Sequence, residues 1–254
     1  MDKNSIAAQL FTLRNFLKTR EDVEDTFRKV KKMGYQSIQV SGMGYAEPNF
    51  IKDLTHELDL KICATHVSFD RLKNDFNSVV NEHKLWDCEY VGIGSMPQEF
   101  RNKDGYFEFA REASIIGEKL SHEGLNLIYH NHNFEFEKFN GLTGLEILIN
   151  ETDGKKVGFE LDTYWVQAGG GSPVEYLKKL KGRIDVVHFK DMEFYEGKTE
   201  MAEIGEGNLD WPSIIEVCRE NNVKWYAIEQ DTCRRSPFES LEMSLNYLSN
   251  YLTD

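Results

Sequence analysis

Hydrophobic positions along the chain fall into short runs, and four of these runs end in the same way. LIYHNH (Leu127 to His132), VGFELD (Val157 to Asp162), VVHFKD (Val186 to Asp191) and AIEQD (Ala227 to Asp231) start apolar and close on polar residues spaced two apart. Side chains alternate faces along a strand, so residues i and i+2 point the same way. This spacing pairs His130 with His132, Glu160 with Asp162, His188 with Lys190, and Glu229 with Asp231. Each stretch leads into a loop and then a segment of helical periodicity. The four pairs together predict one shared polar site at the carboxyl ends of a parallel sheet.

The same alternation runs through the rest of the chain. Strands are predicted over Ser5 to Leu10, Ser37 to Val40, Lys61 to His66, Tyr90 to Gly94, Leu125 to Asn131, Val157 to Asp162, Ile184 to Lys190 and Trp225 to Glu229. A helix starts at Thr19, with Val23, Phe27 and Val30 at helical spacing, acidic residues in its first turn, basic residues in its last, and Gly34 as its stop. Further helices are predicted from about Asn49 to Leu58, Phe76 to Leu85, Tyr106 to Leu120, Leu142 to Asn150, Trp211 to Asn221 and Phe238 to Leu252. Another opens at Ser172-Pro173, where Ser suits the N-cap and Pro the first helical position. A long loop is predicted over roughly Asp191 to Asp210. Strands alternating with helices imply parallel pairing. Eight such units across residues 1–254, with no linker between them, predict a single α/β domain folded as a closed (β/α)8 TIM barrel. The rival is an open doubly wound sheet, which usually shows a Gly-rich phosphate turn. Neither GxGxxG nor GxxxxGK[ST] occurs here.

Charge narrows the partners. The formal net charge is -13, which repels phosphate backbones and anionic lipid, so nucleic acid and membranes are disfavoured. No stretch approaches the roughly 20 apolar residues of a membrane span. The segment MDKNSIAAQLFTLRN lacks an apolar core of signal-peptide length. The four cysteines, Cys63, Cys88, Cys218 and Cys233, form no CxxC motif, and Cys63 and Cys218 read as small buried hydrophobes. A disulfide framework is not expected, and a reducing cytoplasm is the expected compartment.

Several polar residues are candidates for chemistry. His66, His130, His132 and His188 fall at predicted strand ends, whereas His56, His83 and His122 fall in helices and are expected at the surface. Lys190 shares a face with His188. Acidic neighbours at Asp191 and Glu193 raise a lysine pKa, which favours a charged donor over a Schiff-base nucleophile. His66, Trp165 and Glu206 are candidate substrate contacts, Glu206 from a lid position in the long loop, with Phe11 as a further apolar wall. Gly169-Gly170-Gly171 is either a substrate-covering loop or a plain turn into a helix, and Arg234 and Arg235 are expected at the surface.

The stretches QLFTLR, YHNHNFEF, FELDTYW, HFKDM, GEGNLDWP and AIEQD, in this order over essentially the whole chain, resemble the xylose-isomerase-like TIM barrels of the sugar phosphate isomerase/epimerase group. The resemblance implies a divalent metal ion (Mn²⁺, Co²⁺, Mg²⁺ or Zn²⁺) at the top of the barrel. It implies Asp162, His188 and Glu229 as ligands from the last three strands. Where many relatives carry a glutamate on the fifth strand, this chain reads Tyr129-His130-Asn131-His132. His130 is the expected fourth ligand, with Glu135 as the alternative, also a candidate substrate contact. A carboxylate, an imidazole and a second carboxylate on adjacent strands suit a borderline divalent ion with open positions.

Such a site implies an enzyme acting on a small-molecule sugar, keto sugar or cyclitol through an enediolate. The base is Glu229 or one of His130 and His132, and Lys190 is an electrostatic donor. Reprotonation gives an isomerase or epimerase. Expulsion of a β-oxygen gives a lyase or dehydratase, which the two histidines suit as acid–base groups. A non-catalytic sugar-binding barrel and an abasic-DNA endonuclease are the remaining readings, and homo-oligomerisation is left open.

Overall fold

The computed structural model describes residues 2–252. In chain order its elements are β1 (Ile6–Gln9), α1 (Arg20–Met33), β2 (Ser37–Val40), α2 (Pro48–Glu57), β3 (Lys61–His66), α3 (Phe69–Asn74), α4 (Phe76–Leu85), β4 (Tyr90–Ile93), α5 (Lys103–His122) and β5 (Asn126–His130). They continue as β6 (Lys138–Phe139), β7 (Leu142–Thr143), α6 (Gly144–Glu151), β8 (Val157–Asp162), α7 (Thr163–Ala168), α8 (Pro173–Lys179), β9 (Val186–Phe189), β10 (Asp191–Tyr195), β11 (Lys198–Ala202), α9 (Trp211–Glu220), β12 (Trp225–Ile228) and α10 (Pro237–Ser249). Short 3-10 turns fill several of the connections.

Eight strands close into a parallel barrel in the order β1-β12-β9-β8-β5-β4-β3-β2. The open-sheet alternative is thereby excluded. Local signals in the sequence set the helix ends. Thr19 and Asp22 form a capping box at the start of α1, and Gly34 ends it at φ 110°. Ser172 caps α8 with Pro173 at its first position.

Four short elements depart from the sequence reading. The helices α3 and α7 are each only six residues long, too short to show a period. The hairpin β6–β7 turns through Asn140 and Gly141, and β10–β11 through Glu196 and Gly197, all at positive φ as a primed turn requires. Part of the segment read as one long loop is therefore a β-ribbon.

The core has two parts. Between the barrel and its helices lies a large apolar layer that includes Phe27, Tyr35, Phe109, Phe159, Phe189 and Trp211. Inside the barrel, Ala7, Ala64, Tyr90, Ile128 and Val186 fill the half nearer the strand starts. Two residues further along the same strands the interior turns polar, with Gln9, His66, His130 and His188. That switch places the site.

His83, expected at the surface, is buried in the core. Its Nδ1–H donates to the Val79 carbonyl (2.7 Å) and its Nε2 accepts from the Thr65 hydroxyl (2.8 Å). Burial lowers its pKa. Among the described residues no helix is long and apolar enough to cross a membrane.

Candidate active site

Register brings the polar pairs together. His130 on β5 lies beside Glu160 on β8, Asp162 lies beside His188 on β9, and His188 lies beside Ala227 on β12. Glu229 follows two residues on, on the face that Ala227 shares. Asn131 helps to seat the strand end, its Oδ1 accepting from the Asp162 backbone N–H at 3.0 Å. Asp162 also caps α7 through the Trp165 backbone N–H at 2.8 Å, which turns Trp165 toward the mouth.

Four buried residues converge: ligand-capable atoms of His130, Asp162, His188 and Glu229 all lie within 4.8 Å of one another. The hydrogen bonds test whether this set fits a cation. His130 Nδ1 lies 3.0 Å from the Gly94 carbonyl, which only accepts, so Nδ1 carries the hydrogen. Burial, helped by the charge of His188, lowers the His130 pKa and favours the neutral ring. Its Nε2 lone pair then faces Asp162 Oδ2 across 3.3 Å. Burial raises the Asp162 carboxyl, but the Lys190 charge outweighs it and holds it below its usual value. A lone pair facing a carboxylate at that distance is repulsive unless a cation lies between them. The His130 N–H to a backbone carbonyl is also the usual second bond of a metal-bound imidazole. Two imidazoles and two carboxylates thus fit a divalent ion. Without one, His188 is pushed up to about 10: burial opposes this, but the charges of Glu160 and Glu229 prevail.

Lys190 is fully buried, with Nζ 3.0 Å from Asp162, 2.6 Å from Glu229 and 3.0 Å from Asp231. Burial disfavours its charge, but these three carboxylates hold it above the ordinary lysine value. A permanently charged ammonium does not form a Schiff base. The acidic neighbours in sequence are not the ones in space. The Asp191 carboxylate accepts from the backbone of Gly205, Gly207 and Leu209 and from Trp211 Nε1, and Glu193 pairs with Arg234. Asp231 is pushed up to about 6, by burial first and then by the charge of Glu229.

On the other side, the His132 ring stands on His130 with centroids 4.9 Å apart and lies 5.5 Å from Trp165. Burial holds His132 down to about 3, so the ring is neutral. His132 Nδ1 and Trp165 Nε1 are buried without hydrogen-bond partners among the described residues, as is Gln9 Nε2. An indole N–H left unpaired costs about 1–3 kcal/mol, which marks a place for a substrate oxygen.

The other predicted residues are placed as follows. His66 enters the barrel wall with Nε2 2.6 Å from Glu160 and Nδ1 3.2 Å from Ser41 Oγ. Glu135, the alternative ligand, is not among the converging four. It is fully enclosed, accepting from the Tyr129 hydroxyl (2.6 Å) and the His132 backbone N–H (2.9 Å), so it secures the loop under His132. Glu206 is exposed, and no hydrogen bond or ion pair joins its side chain to the cluster among the described residues. Gly169 and Gly171 pack on the Phe136 ring, which makes that loop a tight turn. An open cavity of about 640 Å³ lies at the opposite end of the barrel beside Lys61, Tyr90 and Trp225.

Sequence reasoning passed over Gln39 and placed Glu160 at the shared polar site without giving it a role. Gln39 Nε2 donates to Glu160 Oε1 at 2.8 Å, and His188 Nε2 lies 2.9 Å from Gln39 Oε1. The i, i+2 rule had placed Glu160 beside Asp162, and a lone glutamine in the apolar run SIQV was the available sign for Gln39. Burial raises the Glu160 carboxyl, yet the charge of His188 and the hydrogen bonds from His188 and His66 outweigh it and hold it well below the usual range.

Comparison with known proteins agrees with this architecture. Residues 27–250 match the family described as "Xylose isomerase-like TIM barrel". Among curated proteins, the chain is 28% identical over 156 residues to an inosose dehydratase of Clostridium botulinum (strain Alaska E43 / Type E3), covering 54% of this chain and 52% of that protein. It is 26% identical over 163 residues to an inosose dehydratase of Lacticaseibacillus casei, covering 57% and 54%. The chain thus spans about half the length of the curated relatives it matches. Among solved structures, a sugar phosphate isomerase/epimerase from Parabacteroides distasonis superposes with TM-score 0.81 at 21% identity, covering 98% of this chain and 94% of that one. The probable 3-DHS dehydratase involved in petrobactin synthesis from Bacillus anthracis gives 0.71 at 16% identity, covering 98% and 99%. The closed barrel and the profile matched across nearly its whole length have one conclusion: this chain belongs to the xylose isomerase-like TIM barrel family.

Proposed function

We propose that this chain is a divalent-metal-dependent lyase that takes a keto sugar or keto-cyclitol through an enolate and expels a β-oxygen as water. The observation that carries this reading is the asymmetry of the mouth. Glu229, Asp231 and Lys190 stand on one side, the imidazoles of His130 and His132 on the other, and a histidine holds the fifth-strand position where a two-carboxylate epimerase needs its second base. The curated relatives named inosose dehydratase support the same reaction class.

His130, Asp162, His188 and Glu229 are the residues that would hold the ion. When bound, a divalent ion polarises a ketone oxygen and acidifies the C–H beside it. Glu229 takes the proton from that carbon, with the Lys190 ammonium 2.6 Å away balancing charge as it builds on the enolate. His132, held neutral, serves as a hydrogen-bonding group and not as a stored proton. Together with the unpaired Trp165 indole N–H it receives the departing oxygen. Glu229 then returns its proton to that oxygen, so a C–H and a C–O bond break, a C=C bond forms, and water leaves. His66 orients the substrate from the opposite wall.

A second reading keeps the enolate and changes its fate. The fixed Lys190 ammonium stabilises an enediolate equally well, and reprotonation at carbon gives isomerisation or epimerisation. Incubating zinc- or manganese-loaded protein with a ketoinositol and with 3-keto sugars in D₂O separates the two. The lyase gives products lighter by one water. Solvent deuterium at carbon without loss of mass moves the assignment to the isomerase. A wild type that turns over nothing, and binds sugar as well as Glu229→Gln does, is a sugar-binding barrel and not an enzyme.

A further inference from the structure

Glu160 takes no part in the chemistry above, yet three side-chain nitrogens converge on its carboxylate. It is fully buried and reaches across the interior from β8 to β2 and β3. Its Oε1 lies 2.8 Å from Gln39 Nε2 and 3.2 Å from His188 Nε2, and its Oε2 lies 2.6 Å from His66 Nε2. An ionised carboxylate offers acceptors alone. All three nitrogens must therefore point a hydrogen at it, and Gln39 Oε1 takes a share of the His188 Nε2 hydrogen at 2.9 Å. With Nε2–H assigned on each ring, the remaining nitrogen of a neutral ring is a lone pair. For His188 it is Nδ1, 3.0 Å from Glu229 and 3.9 Å from Asp162. For His66 it is also Nδ1, 3.2 Å from Ser41 Oγ. Room for the His66 ring comes from Gly94, where a Cβ would sit 2.7 Å from Nδ1.

We infer that Glu160 is a positioning residue that sets the tautomers of two histidines at once. It turns the His188 lone pair to the cation pocket and the His66 lone pair to Ser41 and the substrate mouth. The Ser41–His66 pair is then an acceptor for a hydroxyl of the substrate, and sugars or cyclitols that carry a hydroxyl at that position are selected over their deoxy analogues. The cation, the sugar and the neutral His188 ring rest on the functional reading above; the Nε2–H of His66 does not.

Glu160→Gln is a close isostere with a built-in conflict. If the new amide turns its oxygen to His66, its NH₂ faces Gln39 and His188. Gln39 must then flip to accept, which sets its own NH₂ against His188 Nε2 and drives that ring to Nδ1–H. If the amide turns the other way, its NH₂ meets His66 Nε2 and His66 becomes Nδ1–H. One ring inverts in either case.

Long-range ¹H–¹⁵N correlation spectra of histidine-labelled protein read the tautomers directly. The wild type is expected to show His66 as Nε2–H with or without zinc, and His188 as Nε2–H when zinc is bound. In Glu160→Gln, inversion of His188 is expected to weaken zinc affinity roughly 10- to 100-fold. Inversion of His66 is expected to lower kcat/KM for the hydroxylated substrate while leaving the deoxy analogue little changed. A wild-type His66 protonated at Nδ1 overturns the inference, even if the variant does not fold. So does a folded Glu160→Gln whose tautomers, zinc affinity and kcat/KM match the wild type. A wild type that binds no zinc removes the functional reading alone, because the His66 tautomer is still read in the zinc-free protein.

Discussion

Glu135 illustrates how much one side chain's surroundings decide. It lies five residues beyond His130, yet its carboxyl is sealed beneath the loop that carries His132. Burial pushes it up to about 7 from 4.5, against the opposing hydrogen bonds of Tyr129 and the His132 backbone. The sign follows from linkage. A carboxyl raised in the folded state is matched in both states below about pH 4, and the folded state loses ground as pH rises toward 7, because the unfolded chain ionises more easily. Glu135→Gln removes this slope. Urea melts from pH 4 to 8 are expected to show wild-type stability falling relative to Glu135→Gln up to about pH 7 and then running parallel. A difference independent of pH would mean that Glu135 is ionised throughout. Lys190 makes the complementary point: adjacency in sequence suggested Asp191 and Glu193 as its partners, and its ion pairs are with three residues on two other segments.

At the scale of elements, the ribbon β10–β11 and the turn after it depend on Asp191. Its carboxylate gathers the backbone N–H groups of Met192, Gly205, Gly207 and Leu209 and the Trp211 indole, at 2.6 to 3.2 Å. Gly207 has no room for a Cβ, which would lie 2.4 Å from Asp191 Oδ1. Asp191→Asn replaces one acceptor oxygen by a donor facing donors. Limited proteolysis and amide exchange are expected to rise across residues 203–210 while exchange in β8 and β9 stays slow. Uniformly faster exchange, barrel included, would show that Asp191 supports the whole fold and not this loop. The caps of α1 and α8 stand at the other extreme, since Thr19, Gly34 and Ser172 announce themselves through local chemistry alone. The short elements α3, α7 and β6–β7 gave no such warning. Six residues are less than two helical turns, and two-residue strands have no alternation to count.

At the scale of the molecule, the cluster of His130, Asp162, His188 and Glu229 concentrates like charges and facing lone pairs in a buried space, with the Lys190 ammonium against it. A ligand that binds the folded state alone stabilises it by RT ln(1 + [L]/Kd), about 2.7 kcal/mol at a hundredfold excess over Kd. Manganese, cobalt or zinc is therefore expected to raise Tm by several degrees, and a chelator to reverse it. Asp162→Asn is expected to shrink the shift, and an unchanged shift in that variant would place the ion elsewhere.

Sequence periodicity by itself determined the barrel, because eight strand–helix alternations leave few ways to bury every apolar face and a parallel sheet of that size closes. It also determined which side chains enter the barrel, since i and i+2 share a face whatever the neighbours are. Tertiary structure alone decided who meets whom. Barrel closure carried Glu160 across the axis to His66, strand register set it beside His188 and brought Glu229 to Lys190, and burial sealed His83 and Glu135 away from water. The physical reason is that facing is a local property of backbone geometry, whereas distance, desolvation and therefore protonation depend on residues far apart in the chain.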